Sequence, residues 1–398
     1  MTAFVLYDDA TARGFEPFAL SRPAGELRAG ADLVRERWAR ALGQTCGGFV
    51  GASHLASFQE FDAPPVARGT LAAGTWLVNT RCAPVLRALT VPKQANAIRC
   101  AGRVAAVRIG APLDVKTLAD GLTTLDSLTS GAATDVDGWW LDAAWDLVRL
   151  LPEMLVADAT ALIGASAADC GALTAFGDHP AHVEPGATVE PFVVADTTAG
   201  PVLIRRGATV QAFTRLVGPC VVGEGATIVG GRIAASSIGP LAKVAGELSV
   251  TIVIGHANKG HDGFVGHSVI GRWANLGAGT ITSNLKNSYG EVACWTPAGM
   301  RATGMQFLGA LIGDHAKTGI GTRLTTGCVV GAAANVFGTR MPPKVVPPFA
   351  WGDGEPWGTF ALEKFLTVAE RVMARRGVAL SDRDRTYLSA VFAARWAS

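Results

Sequence analysis

Charge is scarce in this chain. Only 17% of its 398 residues are Asp, Glu, Lys or Arg, and they nearly cancel to a net charge of +2. That balance gives no electrostatic case for nucleic acid or an anionic membrane surface as a partner. Long apolar runs are missing as well. Hydrophobic residues make up 49% of the sequence, yet no stretch approaches the roughly 18–20 consecutive apolar residues of a spanning helix, so no membrane partner is expected. The cysteines number seven, an odd count without a C-x-x-C pair, which reads as reduced core thiols of a cytoplasmic protein. The opening stretch follows a four-residue apolar run at once with Asp8 and Asp9, so a signal peptide is not expected.

What the chain has in quantity is glycine, 48 residues of it, and a period of six. Ile204, Val210, Leu216, Val222 and Ile228 recur without a slip, with the small residues Ala208, Thr214, Cys220 and Ala226 four places after the first four. The same phase returns at Ile312, Thr318, Leu324, Val330 and Val336, with Ala316, Thr322, Cys328 and Ala334 in the small positions. Neither an α-helix nor an ordinary strand has this period. It predicts a left-handed parallel β-helix, in which three six-residue sides make one triangular coil of about 18 residues. The aliphatic residue points into the prism, and the small one sits beside the corner.

The first 175 or so residues lack the hexads. Strands are expected at Phe4–Tyr7, Thr75–Asn79 and Arg103–Ile109, and helices at Leu27–Leu42, Leu118–Leu128 and Leu141–Leu151, which makes an α/β domain. Hexads begin at Val183 and Val189, pause over 195–203 and run to about 340, with interruptions at 255–269 and 287–307. The interruptions are expected to leave the solenoid as loops able to carry chemistry. Pro342, Pro343, Pro347 and Pro348 end the coil, and two tail helices follow, the second capped by Ser381. The expected domains are 1–178, a nucleotidyltransferase-like, Rossmann-type α/β unit; 179–345, the β-helix; and 346–398, a helical extension packed on the solenoid or on a neighbouring subunit.

Four histidines fall in the second half of the solenoid: His256, His261, His267 and His315. A glycine-rich segment tolerates surface histidine; equally, one neutral imidazole can serve as a general base near pH 7. Asn275 and Asn284 follow, and their structural reading is an amide ladder or a corner turn.

The run from Lys259-Gly-His261-Asp-Gly-Phe264 to Gly271, followed by Asn275-Leu-Gly-Ala278-Gly279-Thr-Ile-Thr-Ser-Asn284, resembles the acetyltransferase half of the bifunctional glucosamine-1-phosphate N-acetyltransferase / N-acetylglucosamine-1-phosphate uridyltransferase family, and its wording is similar to a divergent branch of it. The resemblance implies an acetyl-CoA-dependent N-acetyltransferase in UDP-N-acetylglucosamine biosynthesis. His261 is then the base, Asn275 and Asn284 line the sugar and acetyl site, and the Ala278–Gly279 corner faces the acetyl oxyanion. The coils from Ile312 through Lys317 to Val336 are similar to those holding acetyl-CoA between the subunits of a homotrimer. Phe264 replaces a family tyrosine. The coil carrying the family's phosphate-binding cations is shortened, leaving Lys243, Lys259 and Lys286 as substitutes by proximity. The acceptor amine is open among glucosamine 1-phosphate and related amino sugars.

The N-terminal domain departs further from the family. A glycine-rich phosphate loop should follow the first strand, but Asp8 and Asp9 stand there, and they would repel UTP unless Mg2+ sits between them. In the next segment Arg22 and Arg28 are candidate phosphate clamps, or structural arginines. Nucleotidyl transfer and a degenerate or sugar-nucleotide-sensing domain are both open. Two other classes compete with acetyl transfer. His256 and His261 have the His-x4-His spacing of a γ-type carbonic anhydrase zinc site, although no third histidine lies two coils upstream and a catalytic zinc takes three protein ligands; no residue is assigned as a metal ligand here. The other is a non-catalytic sugar-nucleotide-binding protein.

Overall fold

The computed structural model describes residues 3–129, 131–164 and 173–396, which form two compact units. The first runs to Ala144 and recruits Ser381–Ala394; the second spans Trp145–Leu380.

In the first unit β1 (Ala3–Tyr7), α1 (Val34–Leu42), β2 (Thr45–Val50), β3 (Trp76–Asn79), β4 (Ala95–Cys100), β5 (Arg103–Arg108) and β6 (Ala132–Val136) build a six-stranded mixed sheet of order β6-β4-β5-β3-β1-β2. Strand β1 is parallel to β2 and β3, while β5 runs antiparallel to β3 and β4. The three expected strands are present. The expected helices are shorter or displaced. Gly30, at φ 66°, turns Arg28–Ala29 back on Asp32–Leu33 as a small hairpin. Helix α1 therefore starts only at Val34, where the Glu36 carboxylate accepts the Leu33 N–H at 2.9 Å. Gly121, at φ 77°, likewise breaks the expected Leu118–Leu128 helix into two 3-10 turns.

The expected helix at Leu141–Leu151 begins later, as α2 (Asp146–Arg149) and α3 (Leu151–Ile163), the latter with Pro152 in its first turn. Helix α3 packs on the solenoid strands Val202–Ile204 and Cys220–Val222 and so belongs to the second unit. That unit is a left-handed parallel β-solenoid of about ten turns over residues 174–352. The inward hexad residues Ile204, Val210, Leu216, Val222, Ile228, Ile312, Leu324, Val330 and Val336 form one buried core. The pause at 195–203 is no break, since Val194–Asp196 and Val202–Ile204 pair in register with the next coil.

The segment 255–269, expected as a loop, is coil. Asn258–Lys259 and Phe264–Gly266 both pair with Lys243–Ser249. The period hides it because the turns shorten here: Thr209 pairs with Thr227, whereas Lys243 pairs with Asn258, three residues fewer. The segment 287–307 does leave the coil, as the antiparallel hairpin Ala293–Thr296 and Gly299–Ala302.

The tail helices separate. Helix α4 (Leu362–Ala374) sets Phe365 edge-on against His315 and Phe349 of the solenoid. Helix α5 (Asp382–Ala393), capped by Ser381, joins the first unit, where Tyr387 donates to the Ser21 carbonyl and meets Phe58 edge-on at 5.3 Å. The six described cysteines are free thiols, five of them buried; Cys170 lies outside the described residues. Among the described residues no helix is long and apolar enough to cross a membrane.

Candidate functional site

Two stacked corners of the solenoid hold the sequence motif. His261 is exposed at one of them, just after the strand Asn258–Lys259. Directly against it lies the corner Gly277–Gly279, because the Gly279 N–H donates to the Asp262 carbonyl at 3.1 Å. The backbone donors of this second corner are not equivalent. The Gly277 N–H is committed to Thr318, and the Gly279 N–H to Asp262. Among the described residues the Ala278 N–H has no acceptor, so it is the one donor of the three that can meet a developing oxyanion.

The neighbouring face gathers Phe264, His267 and Asn284 around Gly266. A Cβ at Gly266 would overlap the Phe264 ring and the Asn284 amide, so glycine is what lets the two groups close over the backbone. The Asn284 amide nitrogen lies 2.9 Å from His267 Nδ1, and the His267 ring stacks on Phe307 at 5.3 Å. With the amide donating, Nδ1 is the acceptor and Nε2 carries the proton. Burial pulls the His267 imidazole below its usual pKa, which keeps it neutral at pH 7. His267 lies one hexad after His261, and that spacing is the signal in the sequence that marks it.

Lys259 corrects an expectation. It stands six residues after Val253 and six before Val265, in the inward phase, and pairs in register with the buried Val244. Its side chain is 1% exposed, and its Nζ donates to the carbonyls of Ala245 and His261. An ammonium inside the prism cannot hold a phosphate outside it. Burial lowers its pKa to about 8, with Asp262 acting in the opposite direction. Lys286 spends its Nζ on the Glu291 carbonyl at 2.6 Å, at the root of the hairpin insertion. Asn275 lies on the face before the corner, where its Oδ1 accepts from Asn258 Nδ2 at 2.8 Å, a rung of an amide ladder; Lys317 is its partner on the next coil.

The zinc alternative does not fit. His256 and His261 stand at the two ends of the strand between them. His256 is buried against Trp273 with ring centroids 4.6 Å apart, and His261 faces outward. Among the described residues no group of three or more His, Cys, Asp or Glu could hold a metal ion.

In the first unit the carboxyl ends of β1 and β3 interlock. Asp8 is buried and accepts from Thr80 Oγ1 at 2.7 Å and from the Ala24 N–H at 3.1 Å; burial raises its pKa to about 6. Asp9 accepts from Asn79 at 2.9 Å and from Arg81 at 2.9 Å. The two carboxylates are thus engaged separately by protein donors, and this donor set does not fit a Mg2+ ion held between them. Arg22 is buried in an ion pair with Glu60 at 2.8 Å, and Arg28 donates to the Ala31 carbonyl, so both guanidiniums are engaged by the protein. The open space lies beside them. A cavity of about 420 Å³ is lined by Asp9, Asn79, Arg81, Arg103, Trp140 and the 121–126 segment. Arg81 and Arg103 lie 5.4 and 4.0 Å from the Trp140 ring. Sequence reasoning missed these three residues because β3, β5 and Trp140 meet only in the folded sheet.

An α/β unit with a cavity at the carboxyl ends of its parallel strands, followed by a left-handed hexapeptide coil, defines the class: a nucleotidyltransferase-like domain joined to a parallel β-solenoid. Residues 4–166 match the sugar nucleotidyl transferase family. The chain is similar to a bifunctional sugar-1-phosphate nucleotidylyltransferase/acetyltransferase of Sulfurisphaera tokodaii, 33% identical over 91 residues, which are 23% of this chain and 23% of the relative. It is also similar to the bifunctional protein GlmU of Methanococcus vannielii, 35% identical over 86 residues (22% of this chain, 20% of the relative). The GlmU of a Jannaschia species is 36% identical over 110 residues (26% and 23%). These alignments take in about a fifth to a quarter of each relative's length.

Proposed function

We propose that the solenoid is an acetyl-CoA-dependent N-acetyltransferase whose acceptor is an amino sugar, with glucosamine 1-phosphate the first candidate. The observation that carries this reading is the exposed His261 stacked on a corner whose Ala278 N–H is left without an acceptor. His261 takes the proton from the acceptor amine, whose lone pair attacks the thioester carbonyl. The Ala278 N–H receives the oxyanion of the tetrahedral intermediate, a contact typically worth about 3 kcal/mol. Collapse breaks the C–S bond and releases CoA. Asn284 and Phe264 form the adjoining wall. A single face of a prism cannot enclose both substrates, which supports a cleft between subunits of a cyclic trimer.

CoA release from acetyl-CoA with a panel of amino sugars tests the reading. We expect His261→Ala to lower turnover about 10²- to 10⁴-fold with the fold intact. Near-wild-type turnover in that variant removes His261 from the mechanism, and no turnover with any amine in the wild type leaves a binding protein.

For the first unit we propose that the cavity beside Trp140 is where the nucleotide of a nucleotidyl transfer binds. Its aromatic wall suits a base, and its two guanidiniums, held by Asp9 and by the exposed Asp142, suit phosphates that displace Asp142. UTP affinity is expected to fall at least tenfold in Arg103→Ala. Unchanged UTP affinity in that variant, measured by calorimetry, excludes this cavity.

A further inference from the structure

The second unit carries a concentration of positive charge apart from the His261 corner. A cavity of about 490 Å³ opens on the solenoid face next to the end of α4. Its wall carries Lys243, Lys317, Arg375 and Arg376 with the amides of Asn258 and Asn275, and no carboxylate lines it. The solenoid register makes the wall: Lys243, Asn258, Asn275 and Lys317 are successive rungs of one outward row. The two arginines follow the last residue of α4 at once, so the helix C-terminus helps to hold them.

Among the described residues none of these four cations is in an ion pair, although 33 carboxylates are spread along the chain. The hydrogen bonds of two of them go to backbone carbonyls: Lys317 Nζ to His315 at 3.0 Å, and Arg376 Nη1 to Leu241 at 3.1 Å. Burial lowers the pKa of Lys317 to about 8, and burial together with Arg375 lowers that of Arg376. Like charges facing one cavity repel one another, and a bound dianion reverses that term.

We infer that this cavity binds a phosphate-bearing small molecule, its phosphate oxygens held by Lys243, Lys317, Arg375 and Arg376 with the Asn258 and Asn275 amides orienting the ligand. Arginine forks and lysine ammoniums are the donor set that phosphate recognition uses. The phosphate can belong to a sugar phosphate or to a nucleotide-like carrier such as CoA, and both share this chemistry. The inference deepens the acetyl-transfer reading and rests on it for the choice of CoA and glucosamine 1-phosphate as competitors; the site itself is tested by binding alone.

The experiment is calorimetric titration of the full-length chain with inorganic pyrophosphate, in wild type, Lys317→Met, Lys317→Arg and the double variant Arg375→Ala/Arg376→Ala. The expected result is wild-type binding that weakens about tenfold or more in Lys317→Met and in the double variant, with affinity retained in Lys317→Arg. Circular dichroism and a urea midpoint confirm that each variant is folded. Displacement of pyrophosphate by CoA but not by dephospho-CoA places the 3′-phosphate in the cavity; displacement by glucosamine 1-phosphate places the acceptor there. No binding to the wild type, or equal binding in the folded Lys317→Met and double variants, overturns the site. Loss of acetyl transfer in His261→Ala leaves these outcomes unchanged, so the two readings can fail separately.

Discussion

Gly309→Ala is expected to destabilise the solenoid by about 3–5 kcal/mol, read as a fall in the urea midpoint at constant slope. Gly309 is where the chain rejoins the coil after the 287–307 hairpin. Its N–H donates to the His267 carbonyl at 2.8 Å, and the next N–H, of Ala310, donates to Ser268 Oγ at 2.9 Å. A Cβ at position 309 would fall on the Gly266 carbonyl oxygen and the Ser268 hydroxyl, neither of which can swing away without breaking those bonds. The displaced backbone is the one that carries His267 and seats Phe264 and Asn284, so the proposed acetyl transfer is expected to fall with stability. Gly290→Ala is the control. Its Cβ would meet nothing closer than Ser288 Oγ at 3.8 Å, and its φ is ordinary, so a change within about 0.5 kcal/mol is expected. Equal midpoints for the two variants would show that the junction is not the rigid point described.

The second large effect is the pH dependence that Lys259 imposes. Its folded pKa of about 8 lies below the ordinary lysine value of 10.5, so between these values the unfolded chain binds more protons and stability rises with pH. The wild type bears the penalty of an ionised ammonium inside the prism at pH 7, of the order of 3 kcal/mol, and loses it by about pH 10.5. The groups facing Lys259 are Asp262 and the carbonyls of Ala245 and His261. Raw stability curves mix in other groups: Cys220 and Cys328 are raised to about 12 and act in the opposite direction above pH 9. The difference between Lys259→Met and wild type isolates the lysine. The stability of the variant relative to wild type is expected to drop by about 3 kcal/mol from pH 7 to pH 10.5. A pH-independent difference would mean that the ammonium is solvated.

Much of this molecule was legible before folding. A strict six-residue spacing of aliphatic residues can be satisfied by one prism, and Ile204 through Ile228 and Ile312 through Val336 occupy it as the spacing requires, because each inward position answers only to its own phase. The capped tail helix at Ser381 and the first strand at Phe4–Tyr7 were readable for the same reason: their signals are local. What the spacing could not carry was any decision made by a neighbouring coil. The shortened turns around Lys243 and Asn258 turned an apparent loop into ladder and sent Lys259 inward rather than toward a ligand, because register is set by pairing between coils and not along the chain. Gly30 and Gly121 overrode helical patterns by taking left-handed turns. In sequence Asp8 and Asp9 read as a candidate Mg2+ pair and Arg22 and Arg28 as phosphate clamps or structural arginines; the fold engages them with Thr80, Arg81, Glu60 and, for Arg28, a loop carbonyl. Residue identity and period determined the solenoid; only tertiary proximity decided which charges were spent on structure, as at Arg103 with Asp142, and which, in the Lys243–Lys317 row, were left facing open space.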